Sequence, residues 1–282
     1  MPVDFELVSQ PEAPAPTAWM FFLHGILGTG ANFRSFARKV VAAHPTWGAV
    51  LVDLRAHGGS RALPAPYTVA AAAADLRALE AQVPGPVRAI LGHSFGGKVS
   101  LAYLEERARR DPHALRRLFL LDSNPGLRPE AKGSESTLEV IAMLRTLPET
   151  FVARKDFVAA VKATGHTERI AQWLAMNLVR TEDGTAFRFG VDLDAIDALL
   201  ADYFAHDLWS VLEPPPGDTR VVAINGEKSS VYDDEARARL ARDAAQWPER
   251  VVVHTLDAGH WIHVEAFEDT LRVVLDELAT SK

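Results

Sequence analysis

Three runs, far apart along the chain, carry residue types that suit acyl transfer. The first is Gly92-His93-Ser94-Phe95-Gly96, a G-x-S-x-G run directly after the apolar stretch Val87–Leu91 and before a helix-like stretch from Phe95. A serine hydroxyl is a weak nucleophile at neutral pH, so it needs an adjacent base and a rigid presentation. A sharp strand-to-helix turn supplies the presentation, and Gly92, Gly96 and Gly97 leave room for one. The second run is Asp257-Ala258-Gly259-His260, beyond the apolar stretch Val251–Leu256. A histidine on a loop after a late strand suits a general base. The third is His24-Gly25-Ile26-Leu27-Gly28, at the end of Trp19–Leu23. A turn there aims the Ile26 amide toward the Ser94 hydroxyl, and the Phe95 amide opens a helix. Ile26 and Phe95 are therefore the candidate oxyanion donors.

Ten histidines are present, so position selects among them. His254 falls inside an apolar stretch, and His44, His113, His166 and His206 fall on expected helices or surface loops. His57, in the turn Arg55–Ser60, suits a hydrogen-bonded structural role. His93 flanks Ser94 and is expected to point away from it. His263, three residues past His260, is the rival base.

A histidine base needs a carboxylate to orient it. Asp122 ends the apolar stretch Leu118–Leu121, lies 28 residues beyond Ser94 and keeps the chain order serine, aspartate, histidine. An aspartate at the carboxyl end of a strand points into the site crevice. Glu227, Asp233 and Asp234 are the alternatives. In the blander reading Asp122 caps its own loop through the amides of Asn124 or Gly126. Asp53, also at a strand end, is read as bracing Arg55 and the loop around His57. Lys98 and Arg188 are read as bridging or solvated charges, with contact to a substrate carboxylate or thioester tail as the alternative.

These residues must be positioned by a scaffold. Short stretches, apolar on both faces, alternate with helical spacing: Trp19–Leu23, Ala49–Leu54, Val87–Leu91, Leu118–Leu121, Arg220–Ile224 and Val251–Leu256. That pattern predicts buried parallel strands with helices on both faces, and Val3–Val8 reads as an edge strand. The helices between them are expected over Asn32–Ala43, Val69–Ala81, Phe95–Arg109, Asp233–Ala245 and His263–Leu278. The alternation breaks between Gly126 and Pro214. Helices are expected there over Thr137–Thr146, Lys155–Thr164, Thr167–Met176 and Leu193–Tyr203, with a hairpin in Asn177–Val191 turning on Asp183-Gly184. The expected division is a core of residues 1–125 and 213–282 and a helical lid of residues 126–212 on the strand-end face.

With 282 residues, 48% hydrophobic and 24% charged, the composition is that of a folded globular chain and excludes disorder, collagen and coiled coil. The net charge of −7 gives no overall attraction to nucleic acid or an anionic membrane. The absence of cysteine excludes disulfides, thiolate metal sites and a cysteine nucleophile. The N-terminus has no pattern of a secretory signal, and no early apolar run is long enough to span a bilayer, so a cytoplasmic protein without membrane insertion is expected. Composition says nothing of oligomeric state.

Taken together, HGILG (His24–Gly28), DLRAHGGS (Asp53–Ser60), GHSFGG (Gly92–Gly97) and DAGHW (Asp257–Trp261) resemble the α/β-hydrolase family over the whole chain. GHSFGGK, LLDSNPG (Leu120–Gly126) and FRFGVDLDAI (Phe187–Ile196) are most similar to the small YbfF-like esterases and their mitochondrial relatives. The resemblance implies a serine esterase or thioesterase acting on short- to medium-chain acyl groups, with a lid and with no metal or organic cofactor. It also implies an acid at the Asp122 position. Most of the family places the acid after the penultimate strand, where this chain has Gly226-Glu227-Lys228-Ser229, with serine in the aspartate's place. Ser94 argues against dehalogenase and epoxide hydrolase chemistry, and HGGG and HGGPG runs are absent. A C–C hydrolase, a lyase, a cofactor-free haloperoxidase and a non-catalytic ligand-binding relative remain open.

Overall fold

The period-two alternation of apolar side chains builds a seven-stranded sheet and sorts its two faces. In the computed structural model, which describes residues 2–113, 115–131 and 135–280, the elements run in the following order. The first half holds β1 (Phe5–Val8), β2 (Ala18–Leu23), α1 (Arg34–Ala43), β3 (Trp47–Val52), α2 (Val69–Leu79), β4 (Val87–His93), α3 (Phe95–Ala108) and β5 (Arg117–Leu121). Then come α4 (Glu135–Thr146), α5 (Arg154–Ala163), α6 (Glu168–Ala175), β6 (Leu178–Arg180), β7 (Phe187–Phe189) and α7 (Leu193–Ala205). The chain closes with β8 (Arg220–Gly226), α8 (Asp234–Gln246), β9 (Val251–Leu256), α9 (Ile262–Glu265) and α10 (Phe267–Ala279).

The sheet order is β1-β3-β2-β4-β5-β8-β9, with β1 antiparallel to β3 and every other neighbour parallel. Alternate residues of each strand serve opposite faces. Phe21, Leu23, Ile90, Leu118 and Leu120 join the cluster built on α2 and α3, whereas Met20, Phe22, Leu91, Phe119 and Leu121 pack with α1 and α10. Burial on both faces is why these strands read as unbroken apolar runs. Because β3 lies on one side of β2 and β4 on the other, the strand order reverses there and opens a crevice at the carboxyl ends. Leu23 and Gly92 are register partners at that point, so the loops after β2 and β4 emerge side by side.

The last expected helix is split. Ala266 (φ −122°, ψ 50°) separates α9 from α10, and the Glu265 carboxylate at the break accepts from the Gly259 amide at 2.7 Å, on the loop that carries His260. The expected hairpin forms with short arms, Leu178 opposite Phe189 and Arg180 opposite Phe187. Asp183 secures its turn by accepting from Thr181 and Thr185, which holds its carboxyl down at about 2.

Residues 126–212 lie between β5 and β8, although 132–134 fall outside the described residues. The two ends of this inserted segment meet on one side chain. Lys98 of α3 is fully buried, and its ammonium donates to the carbonyls of Gly126 (2.7 Å), Tyr203 (2.7 Å) and His206 (3.0 Å). Burial pushes the Lys98 pKa down, and three acceptors matched to its three protons offset that penalty. Lys98 is thus a bridging charge, and Arg188 is exposed on the hairpin. Among the described residues, no helix is long and apolar enough to cross a membrane.

Candidate active site

Ser94 joins β4 to α3 with φ 52° and ψ −117°, a conformation that costs a side-chain-bearing residue about 1–3 kcal/mol. Its surroundings over-determine it. The Ser94 amide donates to the Leu121 carbonyl at 3.0 Å, and its own carbonyl accepts from the Gly97 amide at 2.9 Å and the Ser123 hydroxyl at 2.6 Å. The glycines of the motif are there for close approach. A methyl group on Gly92 would stand 2.3 Å from the Gly96 carbonyl oxygen, and one on Gly96 would stand 2.6 Å from the His24 carbonyl oxygen.

The loop after β2 is a constrained turn. Leu27 has φ 61°, its amide donates to His57 Nε2 at 3.0 Å, and the Gly28 amide donates to the Gly25 carbonyl at 3.0 Å. His24 Nε2 accepts from the Leu54 amide at 3.0 Å, and its Nδ1–H donates to the Gly25 carbonyl at 2.8 Å. His57 Nδ1–H donates to the Arg55 carbonyl at 2.9 Å. Both rings accept at one nitrogen and donate at the other, so both are neutral braces, and burial pushes His24 down to about 4 and His57 to about 3. Phe95 is the first residue of α3, where a helix leaves its amide without an internal partner. Ile26 and Phe95 line the same cavity as Ser94 and His260.

Asp122 is fully buried at the end of β5, with φ 44°. Its Oδ2 accepts from His260 Nδ1 at 2.7 Å and from the Ser229 hydroxyl, and its Oδ1 accepts from the Gly226 amide at 3.0 Å. The turn after β8 therefore supplies two donors to the carboxylate on β5. The loop cap considered for Asp122 is provided by Asn124 instead, whose Oδ1 accepts from the Gly126 amide at 2.9 Å. Among the other acids, Glu227 and Asp234 are exposed, and Asp233 caps α8 by accepting from the Ala236 amide at 2.9 Å. Asp53 braces the loop around His57, as expected, but not Arg55. It accepts from the amides of Gly30 (2.7 Å) and Gly59 (2.8 Å), whereas Arg55 pairs with Asp75 of α2 at 2.8 Å.

The His93 side chain is engaged elsewhere than Ser94, its Nε2–H donating to the His260 carbonyl at 2.9 Å. His263 packs at a tilt against Phe33 and His93, with ring centroids 4.8 Å and 4.5 Å away. Its Nδ1 is buried with no hydrogen-bond partner among the described residues, and burial pushes it down to about 3. The carboxylate contact falls to His260, not to its rival. The shared cavity holds about 450 Å³, and the inserted segment contributes Val140, Ile170, Trp173 and Leu200 to its wall. Among the described residues, no three histidine, aspartate or glutamate side chains converge as a metal site requires. Residues 18–267 match the family described as the alpha/beta hydrolase fold.

The chain belongs to the α/β-hydrolase family.

Within the family it is similar to mouse (Mus musculus) sn-1-specific diacylglycerol lipase ABHD11, at 29% identity over 99% of this chain and 86% of that one. It is also similar to esterase YbfF of Escherichia coli (strain K12), at 26% identity over 89% of each chain. Among solved structures, a marine microorganism esterase shares the fold with a TM-score of 0.78, at 20% identity over 98% of both chains.

The histidines around this α/β-hydrolase site make the fold acid-sensitive. His24, His57, His93 and His263 are held neutral by burial and each binds a proton on unfolding. Asp243, which burial pushes up to about 6, releases its proton over the same window and opposes them. The unfolded chain therefore binds more protons than the folded one between about pH 4 and 6. Stability is retained above the ordinary histidine range and falls as the pH drops through that window. Urea midpoints at pH 7, 6 and 5 are expected to fall progressively; an unchanged midpoint would contradict the neutral-histidine account.

Proposed function

We propose that the protein is a serine carboxylic ester hydrolase, with Ser94 as nucleophile, His260 as general base and Asp122 as the acid that orients it. The observation that carries this reading is the 2.7 Å bond from His260 Nδ1 to a fully buried carboxylate, in a cavity that Ser94 also lines. Donation from Nδ1 leaves His260 Nε2 free to take the serine proton as the hydroxyl attacks an acyl carbon. The amides of Ile26 and Phe95 receive the charge that develops on the carbonyl oxygen. His260 then protonates the departing alcohol or thiol, and a water deprotonated by the same ring releases the acid.

Residues 126–212 are proposed to act as the cap over a core of residues 1–125 and 213–282, because the inserted segment walls the cavity. Its volume of about 450 Å³ lies within the ordinary range for small-molecule sites. Its apolar wall suits a short- to medium-chain acyl ester or thioester. The diacylglycerol lipase and esterase relatives support ester chemistry. The proposed setting is the cytoplasm, with a small molecule as the partner, and a net charge of −7 disfavours nucleic acid.

The test is hydrolysis of a nitrophenyl ester series from acetyl to dodecanoyl, run in 18O water, with mass mapping of a fluorophosphonate adduct. Turnover with an optimum inside the series, one 18O in the acid product and a stoichiometric adduct on Ser94 are expected. No turnover and no adduct would refute the reading.

A further inference from the structure

We propose that Asn177, in the inserted segment, is a positioning residue for the oxyanion turn: through the Leu27 carbonyl it sets the direction of the Ile26 amide. The inference rests on the serine chemistry proposed above and assigns a residue to its geometry.

The path runs through two peptide planes. Asn177 Nδ2 donates to the Leu27 carbonyl at 2.8 Å. In a trans peptide the carbonyl and the next amide point in opposite directions, so fixing the Leu27 oxygen aims the Gly28 N–H away from it. That N–H donates to the Gly25 carbonyl at 3.0 Å. The same rule applies once more. The Gly25 oxygen, held by Gly28 and by His24 Nδ1, aims the Ile26 N–H the opposite way. His57 clamps the other side of Leu27 by accepting its amide at 3.0 Å, so both peptide groups flanking a leucine at φ 61° are tied.

Asn177 is itself well fixed. It is buried, its amide donates to the Leu174 carbonyl at 3.0 Å, and its carbonyl accepts from the Gly190 amide at 2.9 Å. Its side-chain oxygen is buried with no hydrogen-bond partner among the described residues. A side chain serving only to fill that space would be better apolar, because an unmet buried amide oxygen is unfavourable. The donor is what the position uses. The preceding residue strengthens the same joint, where Asn32 Nδ2 donates to Met176 Sδ at 3.3 Å. Docking of the inserted segment therefore completes the alignment of the amide that would face the oxyanion.

The experiment compares wild type with Asn177→Leu and Asn177→Asp, which remove the donor with little change of shape. Asp202→Ala serves as the control. Asp202 accepts from the Val69 amide at 2.7 Å and so joins the segment to the core away from the turn; alanine removes that acceptor. On the preferred nitrophenyl ester, both Asn177 variants are expected to lose ~10- to 100-fold in kcat with KM within about threefold, as a misaligned catalytic group does. Affinity for a trifluoromethyl ketone, which binds as a tetrahedral oxyanion, is expected to fall in parallel, and Asp202→Ala is expected to keep both. An unchanged kcat in both Asn177 variants, or an equal loss in Asp202→Ala, would overturn the proposal. Hydrogen exchange at the Gly28 amide supplies a readout independent of turnover. It is expected to quicken at least about tenfold in the Asn177 variants, and unchanged exchange overturns the positioning role. A wild-type enzyme that hydrolyses no ester would refute the function, while the exchange result would still judge the turn.

Discussion

Ser94→Ala is expected to lower ester turnover by ~10⁶-fold, to the level left by binding and oxyanion contacts alone. The loss is of one oxygen atom, since alanine keeps the Cβ and with it the strain of φ 52°. Stability should therefore stay close to that of wild type. Glycine at the same position separates the two effects. Ser94→Gly removes the hydroxyl and also relieves the positive φ, so it is expected to be as inactive as alanine yet about 1 kcal/mol more stable. Turnover and thermal unfolding of the pair check this. Retained turnover in either variant would remove Ser94 from the chemistry, and an alanine variant as stable as glycine would remove the strain.

Asp122→Asn is expected to cut kcat by ~10⁴-fold with KM little changed. The reason lies in the donors around the carboxylate. Its Oδ1 faces the Gly226 amide, and its Oδ2 faces both His260 Nδ1 and the Ser229 hydroxyl. An asparagine has one acceptor oxygen and one NH2. With its oxygen toward Gly226, the NH2 confronts His260 and selects the tautomer that cannot take the serine proton. With its oxygen toward His260, the NH2 confronts the Gly226 N–H in a buried space. The first orientation costs the productive tautomer and takes from the Ser229 hydroxyl its acceptor, and the second leaves a donor facing a donor, so a loss of stability of about 1–3 kcal/mol should accompany the loss of rate. Steady-state kinetics and urea unfolding test both parts. If Asp122→Asn stays within tenfold of wild type and Asp234→Asn loses the activity, the acid is on α8 and not on β5.

Much of the scaffold was legible because local patterning and tertiary burial agree. Strands such as β2 and β4 are apolar on both faces, and the sheet covers both faces, so their runs announced them. The carboxyl-end loops were legible for the same reason, since Ile26, Ser94, Asp122 and His260 all follow such runs. Ser229 was visible only as a serine where an aspartate is usual. Its bond to Asp122 depends on how the turn after β8 folds over β5, and no spacing in the chain encodes that. Asn177 left no signal at all, because its partner Leu27 is 150 residues away and its role is set by a backbone carbonyl. Asp53 is expected to brace both Arg55 and the loop around His57, and only the second holds. Two backbone amides took its oxygens first, and Arg55 reached Asp75 across the turn. The break at Ala266 was hidden because α9 and α10 together keep a helical spacing. The overall extent matches the expectation, and Glu265 at the break is engaged by the Gly259 amide on the His260 loop.

The ammonium of Lys98 has a consequence for how this chain tolerates change. Its acceptors are the carbonyls of Gly126 on one side and of Tyr203 and His206 on the other, so some eighty residues leave and return at a single point. A stretch whose ends are already joined can lengthen or shorten with only a logarithmic entropy change. The sheet does not feel that change, because β5 and β8 are adjacent whatever lies between them. The segment is in this sense a replaceable module on a fixed socket. Grafting a different segment between Gly126 and His206, with a donor kept at the position of Asn177, should alter which acyl groups enter while leaving Ser94, Asp122 and His260 where they are.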